Sequence, residues 1–242
     1  MRTRAFQAGI VGPPEKKHRN RWLKLVAGGA LLVLAGPLVA IVAFRFLNPP
    51  ITPVMIAEKL SGKNLTRNWV PLAKFARELP LAVVASEDGS FCKHWGVEWR
   101  AVRDAIREGR GARAGFRGAS TITMQVAKNL YLWSERSYAR KMLEVPLAYV
   151  LSALWPKKVL METYLNIAPW GPGIVGAEAA SQHFFHKSAA ELTRHEAILV
   201  ARILPSPSFR NPANPTQRML NDVPIIDKRM EIVRSRSACV LP

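Results

Sequence analysis

A long apolar run without charge lies near the N-terminus of the chain. Residues 25–44, LVAGGALLVLAGPLVAIVAF, contain no charged residue over 20 positions. A helix of this length spans about 30 Å, the thickness of the hydrocarbon core of a bilayer. A cleaved signal peptide would have a shorter apolar region and a clear small-residue cleavage site. The pattern therefore favours one transmembrane helix over a signal peptide.

After this run the hydrophobic pattern becomes mainly helical. Apolar residues recur at helical spacing from Leu81 to about Ser206, and strand signals are few. The predicted fold class is mainly α, with one helical domain preceded by the membrane helix. We divide the chain into a basic cytoplasmic tail (1–24), the transmembrane helix (25–44), a linker and membrane-proximal segment (45–80), the helical domain (81–212) and a weakly periodic C-terminal tail (213–242).

Local signals place several helix boundaries inside the domain. Ser134 is predicted to cap a helix that ends at Pro156, with Pro146 bending that helix or marking a late start. A further helix is expected over residues 157–166, followed by a loop at residues 169–173, PWGPG. Two Ser/Thr-x-x-Glu patterns predict capping boxes, Ser188 with Glu191 and Thr193 with Glu196.

The charge balance indicates an anionic partner and a membrane orientation. The chain carries 35 Lys and Arg against 17 Asp and Glu, a formal charge of +18. Such a surplus suits nucleic acid, lipid headgroups or a phosphorylated substrate, and charge alone does not choose among them. Seven basic residues and one acid precede residue 25. In the 20 positions after the apolar run, the basic residues are only Arg45, Lys59 and Lys63. This bias predicts a cytoplasmic N-terminus and an outward-facing domain.

Two adjacent acids stand in apolar surroundings in the segment VASEDGSFCKHWG, residues 84–96. Burial beside aromatic groups raises the pKa of a carboxyl group toward neutrality, which suits a general base or acid. Glu87 and Asp88 are therefore candidates for catalysis, and His94 could orient a neighbour. The alternative is that both acids cap the next helix, and the segment alone gives the two interpretations equal weight.

A second polar cluster lies in the segment RGASTITMQVAKNLYL, residues 117–132. Small residues and three hydroxyls are followed by Gln125, Lys128 and Asn129, whose spacing places them on one helix face. Hydroxyls, amides and a lysine at a helix start suit an anionic sugar or phosphate. A Ser/Thr-capped surface helix is compatible with the same residues.

A third polar group lies in the segment ERSYARKMLE, residues 135–144. Arg140 and Lys141 precede Glu144 at i, i+4 and i, i+3 spacing, and an intrahelical salt bridge of about 0.2–0.5 kcal/mol is the simple interpretation. The alternative is a second catalytic carboxylate whose ionised form is held by cations that also bind phosphate. Four polar residues of the later segment 157–187 are interpreted mostly as scaffold: Glu162, Tyr164, Asn166 and Glu178.

Together these segments resemble one enzyme family. EDGSFCKHWGVE, GASTITMQ, RKMLE, KKVLMETYLNIAPWG and GIVGAEAASQHFFHK follow the order of five sequence blocks of the peptidoglycan glycosyltransferases, the family 51 glycosyltransferases. The likeness spans roughly residues 83–212 and is strongest to the monofunctional members. It implies a lysozyme-like helical glycosyltransferase domain that polymerises lipid-linked disaccharide-peptide (lipid II) into glycan strands. The implied reaction is an inverting transfer that forms β-1,4 links and releases polyprenyl diphosphate.

The resemblance also implies a role for each candidate residue. Glu87 matches the catalytic base, and Glu144 matches a second catalytic glutamate that assists at the donor diphosphate or stabilises the anomeric centre. The implied diphosphate contacts are Lys128, Arg136 and Lys141. Ser120, Thr121, Gln125 and Asn129 would line the same cleft, and Asp88, Phe91, His94 and Gly96 would shape the surroundings of the base.

The implied partners are lipid II, the growing glycan strand and membrane lipids. Other cell-wall synthesis proteins are further candidates, and no nucleic acid is expected. No cofactor is required, and no metal ligands are predicted, although a divalent cation (Mg²⁺ or Mn²⁺) at the diphosphate is compatible with the resemblance. The implied location is the bacterial cytoplasmic (inner) membrane, with a single pass and the domain on the periplasmic side. Four arginines recur along one predicted helix face that either rests on anionic headgroups or is solvated: Arg100, Arg103, Arg107 and Arg110.

Some positions depart from the family pattern without removing a proposed catalytic group. Met124 stands where a glutamine is usual, Ala119 where a glycine is frequent, and Glu98 where an aspartate is common. Residues 90–93 formally match Ser-x-x-Lys, but the chain has no Ser-x-Asn or Lys-Thr-Gly, and no transpeptidase activity is expected. Cys92 and Cys239 show no readable disulfide framework or zinc site, and their role stays open.

Two other classes of protein compete with this interpretation. A membrane-anchored lytic transglycosylase or muramidase would also use glutamates in a helical domain. The proposed diphosphate contacts argue against it, because cleavage of an uncharged glycosidic link needs no cationic clamp. A basic, membrane-tethered scaffold or nucleic-acid binder is the non-enzymatic alternative, and the outward orientation disfavours nucleic acid.

Overall fold

The computed structural model describes residues 21, 24–25, 28–29, 36–107, 119–135 and 137–241. The chain divides into two compact units, residues 1–43 and 44–242. In the first unit residues 36–43 are helical. Among the residues described, no helix has both the length and the apolar character needed to cross a bilayer. Residues 26–27 and 30–35 of the predicted transmembrane helix lie outside the described residues, so that helix stays a prediction.

The second unit is built mainly from helices, as predicted. Its α-helices are α1 (Pro53–Leu60), α2 (Glu78–Glu87), α3 (Trp99–Arg107), α4 (Ile122–Tyr131), α5 (Tyr138–Leu154), α6 (Lys157–Ile167), α7 (Ala177–Phe185), α8 (Arg194–Ile203) and α9 (Gln217–Arg234). In the described part of this unit, 3₁₀ helices span Leu72–Lys74 and Ala189–Glu191. The predicted loop at residues 169–173 is a small antiparallel hairpin of β1 (Pro169–Gly171) and β2 (Ile174–Val175), with Pro169 paired to Val175 and Gly171 to Ile174.

Helix α2 forms the centre of the core. Residues 79–85 are all buried. An amphipathic helix has an apolar stripe on one face, whereas this part of α2 is apolar on every side. Helices α8 and α9 pack against α2, while α4 packs against α5 and α6. The C-terminal end of α2 therefore carries the chain from the core toward the start of α4, and Glu87 is its last residue.

Several helix starts follow the local sequence signals. The capping boxes at Ser188 and Thr193 both form, and Thr193 opens α8. Helix α6 matches the predicted helix and is one residue longer. The predicted cap at Ser134 is wrong, because the Ser137 hydroxyl accepts the hydrogen bond from Arg140 N and begins α5 there. Pro146 lies inside α5 and does not mark its start.

The C-terminal segment that we predicted as a tail is part of the folded unit. Helix α9 buries Met219, Ile226, Met230 and Val233, which lie 7, 4 and 3 residues apart, against its neighbours. The helical pattern is hard to see in the sequence because charged residues and Pro224 interrupt it. Beyond α9, Cys239 forms a disulfide bond with Cys92.

The segment before α2 is also held against the domain. The Asn166 side chain accepts from Val70 N and donates to Val70 O, and Glu162 accepts from Leu72 N. Thr66 pairs with Ile174 of β2. These contacts confirm Glu162 and Asn166 as scaffold, and they show that residues 66–72 are more than a linker.

Candidate active site

The Glu87 carboxylate lies at the point where α2 leaves the core. Gln125 Nε2 of α4 donates to Glu87 Oε2 at 3.1 Å, and Ser86 Oγ donates to Glu87 Oε1 at 3.4 Å. Burial raises the pKa of Glu87, while these two hydrogen bonds and the positive charge of Arg202 partly offset the increase. A carboxylate with a raised pKa is suited to accept a proton near neutral pH.

Asp88 connects the loop after α2 to the first turn of α4. Its Oδ2 accepts from Ile122 N at 3.0 Å, and its Oδ1 lies 2.9 Å from His94 Nε2. Gly96 N donates to His94 Nδ1 at 3.1 Å, so Nδ1 carries no proton and Nε2 is the donor to Asp88. Asp88 therefore binds the start of α4 and not that of the next helix, α3. This arrangement fits the predicted supporting role of Asp88 and His94.

Phe91 and Gly96 complete the packing of this loop. The Phe91 side chain is fully buried, and Lys157 Nζ lies 4.4 Å from its ring centroid. Lys157 Nζ also donates to His94 O at 2.9 Å, and burial lowers the pKa of Lys157 to about 8. Gly96 has φ +92°, and its carbonyl accepts from Thr121 Oγ1 at 2.5 Å. The loop is thus attached to α4 and α6 on both sides.

Replacing Gly96 with alanine should destabilise the protein by about 1–3 kcal/mol, because a side chain at this positive φ is strained. In addition, the new Cβ would lie 2.4 Å from Ala148 O, which is backbone and cannot rotate away. Thermal unfolding would measure the loss. Gly89→Ala is the matched control, since its Cβ meets nothing within 4 Å, and it should unfold near the parent temperature. Equal melting temperatures for the two variants would contradict the expectation.

The second carboxylate, Glu144, is buried between two cations of its own helix. The residue is 3% exposed, Arg140 Nη1 donates to Oε1 at 2.5 Å, and Lys141 Nζ donates to Oε2 at 2.9 Å. The i, i+4 and i, i+3 pairs expected from the sequence are both confirmed. Lys141 Nζ also donates to Ser120 Oγ at 2.6 Å. Lys141 is therefore fixed between Glu144 and the residue that precedes the N-cap of α4.

One cleft lies between the loop after α2, α3 and the start of α4. It has a volume of about 150 Å³ and is lined by Glu87, Asp88, Gly89, Ser90, Glu98, Ala101, Ala119, Ser120 and Thr121. Glu87 and Ser120 share this lining, and Ser120 binds Lys141. Neither Glu144 nor Lys141 lines the cleft, and Ser120 is the lining residue that links it to the Glu144–Lys141 pair.

The chain matches the family model described as Transglycosylase over residues 54–231. This chain belongs to the transglycosylase family. The match begins well before residue 81 and ends inside α9, so the family domain is longer than the resemblance of the sequence blocks indicated.

Curated relatives agree with this assignment. The transglycosylase is 43% identical over 225 residues to the biosynthetic peptidoglycan transglycosylase of Rhodospirillum centenum. The aligned region covers 92% of this chain and 95% of the relative. This chain is 42% identical over 212 residues to the protein of that name from Agrobacterium fabrum, covering 88% and 93% of the two chains. Its identity to the Brucella suis biovar 1 protein of the same name is 48% over 170 residues, covering 70% and 75%. The resemblance inferred from the sequence blocks is thereby confirmed.

The remaining predicted site residues of the transglycosylase differ in their placement. Thr121 lines the cleft and caps α4, whereas Gln125 does not line it and donates to Glu87, which does. Asn129 is 1% exposed and does not line the cleft, because its side of α4 faces the interior. Lys128, in the last turn of α4, is half-buried. Arg136 lies outside the described residues, as does Arg110 of the predicted arginine face.

Sequence reasoning missed two groups that the fold brings to Glu87. The Tyr164 hydroxyl of α6, interpreted as scaffold, donates to Gln125 Oε1 at 3.0 Å. The second group is Arg202 of α8. Helices α2 and α8 begin side by side, where Arg194 Nη1 lies 3.3 Å from Glu78 Oε2. From there α2 rises to Glu87 and α8 to Arg202, each over about 12–14 Å, so the two side chains approach each other. The signal for Arg202 was a lone cation inside the apolar run AILVARIL.

The donor set around Glu144 does not favour a metal ion. Both of its carboxylate oxygens already accept hydrogen bonds from cationic side chains. Within the described part of the chain, no group of three or more His, Cys, Asp or Glu side chains is placed to hold a metal ion. We therefore assign no catalytic step to a metal in this site.

Proposed function

We propose that this transglycosylase polymerises lipid II into peptidoglycan glycan strands by inverting glycosyl transfer. The observation that carries the proposal is the cleft lined by both Glu87 and Ser120, since Ser120 accepts from Lys141 of the Lys141–Glu144 pair. Transfer of a sugar from a diphosphate to a hydroxyl requires a base for the hydroxyl proton and cations for the leaving group, and Glu87 and Lys141 are the proposed suppliers. The names of the relatives, all biosynthetic, support the direction of the reaction.

Glu87 is the proposed general base. Its carboxylate takes the proton of the 4-hydroxyl of the acceptor sugar as that oxygen forms a bond to the anomeric carbon of the donor. The anomeric carbon–diphosphate bond breaks on the opposite face, so an α-linked donor gives a β-1,4 link. The electron pair of the broken bond leaves with the polyprenyl diphosphate. General-base catalysis of this kind contributes about 10²–10⁴ to the rate.

Cations stabilise the departing diphosphate in this proposal. Lys141 is held by Glu144 and Ser120, so its ammonium is already oriented when negative charge develops on the leaving group. Lys128 and Arg136 are the further proposed contacts. The buried Glu144 carboxylate accepts from both Arg140 and Lys141, and its negative charge counters the repulsion between the two cations.

The proposed location is the outer face of a bacterial cytoplasmic membrane, with residues 25–44 as the anchor and a cytoplasmic N-terminus. The Cys92–Cys239 disulfide supports an oxidising compartment, since such bonds persist in the periplasm and are rare in the cytosol. The excess of basic residues before the anchor supports the same orientation. An active site held near the bilayer meets a substrate whose polyprenyl tail lies in it.

Gel analysis of reaction products tests the proposed function. Purified protein is incubated with fluorescent lipid-linked disaccharide-pentapeptide, and a ladder of longer glycan is the expected product. A substrate analogue without the acceptor 4-hydroxyl should give no ladder. Shortening of preformed glycan, with no polymer from the lipid-linked substrate, would contradict the proposal and favour a lytic enzyme.

The polymerisation rate should decrease at acid pH, and the midpoint of this decrease, the acid limb of the pH profile, should lie above pH 4.5, the ordinary pKa of a glutamate. Glu87 acts as a base only when it is ionised, and burial raises its pKa, so kcat/KM is lost as the pH falls through that raised value. A profile of kcat/KM from about pH 4 to pH 9 measures the limb. A limb at or below 4.5 would contradict the role of Glu87.

A further inference from the structure

A chain of two hydrogen bonds leads from α6 to the carboxylate of Glu87. The Tyr164 hydroxyl lies 3.0 Å from Gln125 Oε1, and Gln125 Nε2 lies 3.1 Å from Glu87 Oε2. Tyr164 is fully buried, at 0% exposure. Its hydroxyl thus acts on the cleft only through the Gln125 amide.

The chemistry of the three groups fixes the direction of every proton in this chain. An ionised carboxylate accepts hydrogen bonds only, so Gln125 must present its NH₂ group to Glu87. The amide oxygen then faces Tyr164, which must donate. The opposite orientation of Gln125 would place its oxygen against the negative oxygens of Glu87. A phenol that always donates therefore selects the one amide orientation that supports the ionised base.

Tyr164 is suited to this because its position and its proton are both secured. Burial, together with the negative charges of Glu87 and Asp88, raises the pKa of Tyr164 well above its ordinary value, so the phenol keeps its proton. On the same helix, Glu162 accepts from Leu72 N and Asn166 bonds to Val70, which anchors α6 on both sides of Tyr164.

We infer that Tyr164 is a positioning residue that orients Gln125 and thereby holds the ionised Glu87 carboxylate for proton abstraction. The inference rests on the proposed role of Glu87 as a general base. Neither Tyr164 nor Gln125 touches the substrate in this scheme, and both act through Glu87.

Other charged and titratable groups also face Glu87, and they are the same in the parent and in a variant substituted at Tyr164. Asp88 adjoins Glu87 in the chain, Arg202 approaches from α8, Arg210 lies in the loop after α8, and Glu98 lines the same cleft. Because substitution of Tyr164 leaves these charges in place, a change in the titration of Glu87 reports the hydrogen-bond chain alone.

Tyr164→Phe tests the inference. Without the donor, Gln125 is free to turn its oxygen toward Glu87, so the acid limb of kcat/KM should move up by about half to one pH unit. The rate at neutral pH should fall by about 2- to 10-fold. A ¹³C NMR titration of the Glu87 carboxyl, assigned with Glu87→Gln, should show the same upward shift without any substrate.

Tyr131→Phe is the matched control. It removes the same hydroxyl from α4, where the buried Tyr131 oxygen has no hydrogen-bond partner among the described residues. This variant should reproduce the parent limb and the parent titration. Gln125→Leu removes the middle of the chain, so adding Tyr164→Phe to it should produce no further shift.

Three results separate the possible failures. The inference would be overturned if the parent and Tyr164→Phe had the same acid limb of kcat/KM and the same NMR titration of Glu87, even where polymer forms normally. A uniform loss of rate at every pH, with an unshifted limb and a lower melting temperature, would also overturn it, because Tyr164 would then be structural. Absence of polymer from the parent overturns the proposed function, whereas the NMR titration still decides whether Tyr164 controls Glu87.

Discussion

Glu87→Gln is expected to lower the rate of glycan polymerisation by about 10²–10⁴ at neutral pH. The amide has nearly the same shape as the carboxylate but cannot take the proton of the acceptor hydroxyl. Initial rates of polymer formation from the lipid-linked substrate, at saturating concentration, measure the loss. Binding of the donor should change little, because the cations proposed to contact the diphosphate are intact.

The variant should remain folded, which allows the loss of rate to be attributed to chemistry. The pKa of Glu87 is raised in the folded state, so its contribution to stability decreases as the pH rises through that value. A neutral glutamine avoids this cost, and the melting temperature at neutral pH should not fall below that of the parent.

Glu98→Gln provides the matched control for Glu87→Gln. Glu98 lines the same cleft, but its Oε1 accepts from Arg100 N at the start of α3. This variant should keep most of the parent rate. Equal losses in the two variants, or a Glu87→Gln rate within tenfold of the parent, would contradict the role of Glu87 as base.

Removal of the disulfide bond should lower the free energy of unfolding by about 2–5 kcal/mol. The Cys92–Cys239 bond closes a loop with a sequence separation of 147 residues, and its loss gives the unfolded chain many additional conformations. The double variant Cys92→Ser/Cys239→Ser, unfolded in urea beside the parent, measures the difference.

A reducing agent supplies the control for this prediction. The chain has two cysteines, so a reductant should destabilise the parent to the level of the double variant and leave the double variant unchanged. A parent midpoint that is insensitive to complete reduction would show that the bond adds nothing to stability.

Contacts between residues close in the chain were predictable from the sequence. Glu144 meets Arg140 and Lys141 because residues three and four apart are neighbours on any helix. The capping boxes at Ser188 and Thr193 form for the same local reason. Local rules were less decisive where two residues competed, as at Ser134 and Ser137, since both precede the same helix and only the latter bonds its first turn.

Contacts between distant residues were not predictable in this way. Tyr164 is 39 residues from Gln125, and no pattern within either segment indicates that their side chains meet. Helical spacing grouped Gln125 with Asn129 but does not show which side of α4 faces the cleft. In the structure Asn129 lies on the side of α4 that faces the interior. The resemblance to a family indicated Glu87 and Glu144 as candidate catalytic residues, yet their surroundings depend on how α2, α4, α5 and α6 pack.

The disulfide also sets an order of events during biosynthesis. A chain made from its N-terminus presents Cys92 long before Cys239, and the bond cannot form until both have reached an oxidising environment. The loop after Glu87 is therefore linked to the C-terminal segment only after residue 239 has been synthesised. A nascent chain stalled earlier would carry Glu87 and Asp88 without this covalent tie.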